Sequence, residues 1–153
     1  MERGDYRRAL DYLRLDPESE VAQAVSMDIL VRQGKEKEAL QLMASKIPQW
    51  GGYTVLRAGL AHRPAAEIAA LAREVSAAPD PEVNYFSAAH LAFAGQPEAA
   101  LAMLKRTIED GYCSVPAIDS DTMFEGVRGM AGFAEVRAAG MACQKQFRAE
   151  RER

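Results

Sequence analysis

Residues able to do chemistry are few in this chain and stand apart. His62 and His90 are 28 positions from each other, and neither has a cysteine or carboxylate at the H-x-x-x-H or H-E-x-x-H spacing that sets zinc ligands on one helical face. Packing or solvent contact is the expected role of both. Cys113 and Cys143, 30 residues apart, form no C-x-x-C pair, so neither a structural zinc site nor a redox motif is written. A reduced, intracellular setting is the simpler reading, and the sequence leaves a disulfide between them open, because it does not say whether the two β-carbons meet. No serine stands in G-x-S-x-G, and the glycines at 51–52 and 126–132 match neither G-x-G-x-x-G nor G-x-x-x-x-G-K-[ST]. Asp119, Asp121 and Glu125 lack the D-x-D-x-D-G spacing of a calcium loop, which leaves helix capping as their expected duty. The run Lys145 to Arg153 mixes Lys145, Arg148, Arg151 and Arg153 with Glu150 and Glu152, the pattern of a solvated C-terminal helix. These residues predict no enzyme, no cofactor and no metal site.

The elements that carry them belong to an ordinary globular chain. Its 153 residues are 48% apolar and 27% charged, enough for one domain over 1–153 with a real core. A net charge of −3 from 22 acidic and 19 basic residues provides no basic field for a phosphate backbone, so direct nucleic-acid binding is not expected. The first residues, Met1 to Tyr6, are polar, and no later stretch approaches the ~18 uninterrupted apolar residues of a membrane span. The expectation is a cytoplasmic protein with no membrane partner.

A repeat organises the chain. Gly4-Asp5-Tyr6-Arg7-Arg8-Ala9-Leu10 aligns with Gly34-Lys35-Glu36-Lys37-Glu38-Ala39-Leu40 and with Gly95-Gln96-Pro97-Glu98-Ala99-Ala100-Leu101, and Leu13, Met43 and Leu104 follow in register. Glycine in the left-handed conformation ends one helix, the chain turns, and the next helix begins with alanine at a close crossing. Ala39, Leu40, Met43 and Ile47 then form one apolar stripe, repeated by Ala100, Leu101, Leu104 and Ile108. A further hairpin has no glycine before its second helix, yet Pro64, Ile68, Leu71 and Val75 precede Pro97, Leu101, Leu104 and Ile108 by 33 residues each. The pattern predicts helices at 5–15, 19–33, 35–47, 52–61, 64–77, 82–94 and 96–110, with Gly111 to Pro116 as an extended linker. No segment alternates with period two, so the fold class is all-α.

The motif G-x-x-x-x-A-[LI]-x-x-[apolar], over roughly residues 4–110, resembles the second half of the tetratricopeptide repeat. Gln23 and Asn84 stand where that family carries an early Trp or Tyr. Residues 119–133 resemble the D-P-x-F-x-x-L-R-x-D-P-R-F tail that closes many bacterial arrays, with Asp121, Phe124, Val127, Arg128 and Phe133 in place and Thr122, Ala131 and Gly132 departing from it. The resemblance implies an α-solenoid of about three and a half antiparallel hairpins. A short closing helix would cover the last hairpin through Phe124 and Val127, and a cap helix would follow from about 131 to 150.

What the resemblance implies for function is a non-catalytic scaffold that binds a protein or peptide partner on a concave face lined by first helices. Carried onto this chain, the family's groove positions are Ala24, Asp28, Val31 and Arg32, then Tyr85, Ala89, Ala92 and Phe93. Ala24 and Asp28 replace the basic and amide residues of the carboxylate clamp found in chaperone-binding members, which disfavours that partner class. The alternative is the regulatory C-terminal region of a multidomain bacterial kinase, cyclase or transcription regulator, and an unrecognised enzyme ranks lower. The first motif, at Gly4, has no preceding partner helix, which suggests a piece of a longer protein whose apolar face at 5–15 invites self-association.

Overall fold

The computed structural model describes residues 5–45 and 47–151. Gly4, the glycine of the first repeat, and Glu152 and Arg153 of the C-terminal run lie outside the described residues, as does Lys46. Among the described residues the structure is all-helical, with no strand. Where the sequence suggests one domain, the contacts group the chain into two compact units, Met1–Gln49 and Trp50–Arg153.

The first unit holds α1 (Tyr6–Leu13), α2 (Glu20–Arg32) and α3 (Glu36–Ser45), with α2 packed against both others. Ser19 caps α2, its hydroxyl accepting from the Ala22 N–H at 3.3 Å. Of the expected stripe, Ala39 and Met43 are buried and Leu40 half-buried, while Ile47 lies beyond the end of α3. By contrast α1 buries no residue fully: Tyr6, Ala9, Leu10 and Leu13 are half-buried and its other face is charged.

The second unit contains α4 (Tyr53–Leu60), α5 (Ala65–Glu74), α6 (Pro81–Phe93), α7 (Pro97–Glu109), α8 (Val115–Ser120), a single 3-10 turn at Thr122–Phe124 and α9 (Ala131–Arg151). Helices α4 and α5 pair, α6 and α7 pair, α4 packs on α6, and α9 packs on α7 and α8. The α4–α6 approach is close because α4 meets it with glycine. A β-carbon on Gly52 would come within 3.0 Å of His90 Cβ, and one on Gly59 within 3.1 Å of the Ala94 backbone. Since the start of α4 meets Ser87 and His90 while its end meets Phe93 and Ala94, the two helices run in the same direction.

Gly111 to Pro116 is not an extended linker throughout. Val115 opens α8, with Pro116 in the first turn, where a proline loses no intrahelical hydrogen bond. The Arg128 guanidinium donates to the backbone carbonyls of Asp119 and Asp121, which satisfies the last turn of that short helix. Cys113 and Cys143 meet: their Cα atoms are 5.7 Å apart and their sulfurs stand at bonding distance, so the structure pairs them as a disulfide. A loop of this size contributes about 3–5 kcal/mol in the chain-entropy model.

The hairpin turns share one geometry, including the one that lacks glycine. At Gly34, Gly95 and Gly111 the residue after the helix has positive φ, its N–H bonds the carbonyl three positions back, and the next N–H bonds the carbonyl five positions back from itself. After α4 the same two bonds are made by His62 and Arg63, to Gly59 and Ala58, with His62 at φ 49°. Histidine therefore occupies the glycine position of the repeat at a conformational cost of roughly 1 kcal/mol. Accordingly, His62→Gly is expected to raise the thermal unfolding midpoint by about 2–4 °C. Gly95→Ala, where an added β-carbon meets nothing within 4 Å, is expected to lower it through backbone strain alone. Melting followed by circular dichroism reads both, and a lowered midpoint for His62→Gly would count against the shared geometry.

Candidate functional site

The residues expected to line a concave face are mostly interior. Ala24, Asp28 and Val31 on α2, and Tyr85, Ala89 and Ala92 on α6, are buried, whereas Arg32 and Phe93 keep partial exposure. Side chains with so little accessible area present little surface to a partner, and of the expected positions Arg32 and Phe93 present the most. Asp28 Oδ2 lies 3.4 Å from Arg32 Nη1 one turn on, and the two side chains are 2% and 11% exposed, so this pair is a buried ion pair rather than a recognition patch.

Tyr85 is a hub of the second unit. Its hydroxyl donates to Asp121 Oδ2 at 2.8 Å, and its ring meets Phe124 edge-on, with centroids 5.7 Å apart, and Tyr112 at 5.1 Å. Asp121 Oδ1 accepts from the Met123 N–H at 3.1 Å, so one buried carboxylate both caps the 3-10 turn and ties it to α6. Phe124 and Val127 are buried, and the turn that carries Phe124 packs on α6, part of the last hairpin, which the closing segment was expected to cover. Asp119 does not cap. It accepts two hydrogen bonds from Arg137 on α9, at 2.7 and 2.8 Å, and that bonding holds the Arg137 guanidinium above its ordinary pKa.

The chemistry-bearing residues stay separate. His90 is fully buried, its ring centroid 4.5 Å from that of Tyr53, while His62 is exposed at its turn. Among the described residues no three of His, Cys, Asp and Glu converge as metal ligands would, and no helix is long and apolar enough to cross a membrane.

An open concavity lies in the first unit. Leu10 and Leu13 of α1, Leu30 of α2 and Leu42 of α3 line an open groove of about 300 Å³, completed by Pro17 and Ala22 and rimmed by Arg14, Gln23, Ser26, Lys35 and Glu38. It exists because α1 and α3 both lean on α2 while α1 is too short and too charged to fill the space between them. Gln23 Nε2 donates to the Pro17 carbonyl at 2.6 Å and fixes the loop at one end of the groove. Within the same stretch Tyr12, Leu15 and Val21 are exposed, Leu15 to 79%. Apolar groups left in water this way contribute to stability only when something covers them. Part of this signal was in the sequence, as the apolar face of residues 5–15; the contribution of Leu30 and Leu42 was not, because neither falls on the repeat's apolar stripe or among its groove positions.

No family model matches the chain, and no curated protein or solved structure matches it either.

The Tyr85–Asp121 bond supports the second unit, not the groove, and the two separate by mutation. Tyr85→Phe leaves a buried carboxylate oxygen with one donor fewer and is expected to destabilise the chain by about 1–3 kcal/mol. Urea denaturation measures it, and a change within error would show that the bond carries no load.

Proposed function

We propose that this chain is a non-catalytic interaction module, a tetratricopeptide-like α-solenoid, and that it binds an apolar segment of a protein partner in the groove between α1, α2 and α3. The observation that carries the binding reading is the groove itself, with Leu10, Leu13, Leu30 and Leu42 in its walls and Tyr12, Leu15 and Val21 exposed in the same stretch. The repeat reading is supported by the turn geometry common to Gly34, His62 and Gly95, and by α4 and α6 lying side by side in the same direction, as first helices of stacked hairpins do.

The expected energetics are modest. Burying two leucine-sized anchors contributes about 3–6 kcal/mol, from which the loss of translational and rotational freedom is subtracted. Affinity no tighter than some tens of micromolar (~6 kcal/mol) is therefore expected from these two anchors alone. The polar rim would fix register through Gln23, Lys35 and Glu38, while the walls supply the affinity. A second copy of the chain, through the exposed face of α1, is one partner of this chemistry.

Selection of displayed peptides against the immobilised chain tests the reading. Enriched peptides are expected to carry apolar anchors and to lose at least about tenfold in affinity, roughly 1.4 kcal/mol, when Leu13 and Leu42 are both replaced by Glu with helicity unchanged. Failure to enrich any peptide, or binding indifferent to both substitutions, would refute the groove as the binding surface.

A further inference from the structure

The cysteine pair stands at a particular place on the last helix. The buried stripe of α9 runs Phe133, Val136, Gly140, and its next members are Cys143, half-buried, and Phe147, which is 59% exposed. Gly140 is where α9 comes near its support: a β-carbon there would meet Val115 Cγ2 at 3.3 Å and Ile108 Cδ1 at 3.4 Å. One turn later Cys143 reaches Cys113, in the turn between α7 and α8, and from Lys145 to Arg151 the helix is exposed. The disulfide therefore closes the boundary between the docked and the free part of α9.

The non-covalent hold on that boundary is thin. Docking of α9 buries Phe133 and Val136 near its start but only a glycine in the turn before Cys143. The Arg137–Asp119 ion pair is exposed, and water screens such pairs to small net effect. Neither cysteine belongs to the buried core, both being half-buried, which leaves the pair open to small solutes.

The geometry points to Cys113 and Cys143 as a reversible thiol–disulfide exchange site for low-molecular-weight thiols and disulfides of the glutathione type, with the bond acting as a clamp on the distal part of α9. In the closing direction one cysteine thiolate attacks the small disulfide and expels a small thiolate, leaving a mixed disulfide on the protein. The second cysteine thiolate then attacks the protein sulfur of that mixed disulfide and expels the other small thiolate. Two protein thiols lose two electrons and two protons, and one small disulfide becomes two small thiols. Reduction runs the same steps backwards and frees α9 from Arg137 onward, where the only buried residue is Gly140.

The test uses the full chain equilibrated in buffers of varied reduced to oxidised glutathione, quenched by alkylation and weighed by mass spectrometry, with limited trypsin digestion in parallel. Arg137 lies within the docked part of α9, and cleavage after it reports release. The expected result is a reversible two-electron transition, with cleavage after Arg137 at least about tenfold faster in the reduced chain. A Cys113→Ser, Cys143→Ser double variant, with helicity checked by circular dichroism, is expected to be cleaved at the fast rate in every buffer. The proposal is overturned if the thiols stay free in oxidised glutathione, if the bond resists every reduced buffer while the chain remains folded, or if cleavage after Arg137 is the same in both states.

Discussion

The second unit depends on the burial of α6. Of its thirteen residues, eight are buried, and they include Asn84, Tyr85, Ser87 and His90. A helix surrounded in this way is stable only if each interior polar group finds a partner, because an unmet one costs about 1–3 kcal/mol. The partners that meet this demand also position the neighbouring elements. Asn84 accepts from the Ala78 N–H at 2.7 Å and donates to the Ala78 carbonyl at 3.0 Å, pinning the segment that enters the helix. Ser87 turns back to the Val83 carbonyl. Tyr85 reaches Asp121 and so draws in the closing turn, while the His90 ring adds packing, lying against Tyr53 and so facing α4.

The same economy recurs in the first unit at a smaller scale. Gln23 bonds the carbonyl of Pro17, six positions back, as Asn84 bonds that of Ala78, six positions back. Each amide stands at the fourth residue of its helix, α2 or α6, and clasps the loop that enters it. The two differ in burial, and with it in consequence: Asn84 is fully buried, whereas Gln23 sits half-buried at the edge of the groove. A tightly held α6 and a loosely covered α1 follow from where the apolar side chains fall.

Much of the helix order was legible in the sequence because glycine, proline and the apolar period report local geometry directly. Gly34 and Gly95 mark the turns by their conformation, and the helices they separate end within a few residues of where the pattern places them. The break between 61 and 64 marked the third turn as well, but not its conformation, since nothing in a histidine announces a positive φ. Helix α8 was missed because Pro116 reads equally as a stop or as a first-turn residue, and only the Arg128 guanidinium on the far carbonyls decides it. The candidate site was less legible. Position arithmetic places Ala24, Asp28 and Ala89 on first helices but says nothing of what covers them, and Asp28, polar in type, is interior beside Arg32. The cysteine pairing depends on where α9 returns, which no local pattern encodes.

The most direct test of this arrangement is native-state hydrogen exchange read residue by residue. The amides from Asn84 to Ala92 should exchange only through global unfolding and be the slowest in the chain, while those of Tyr6–Leu13, which bury no residue fully, should be the fastest among the helices. Exchange in α6 as fast as in α1 would contradict the claim that its burial holds the second unit together.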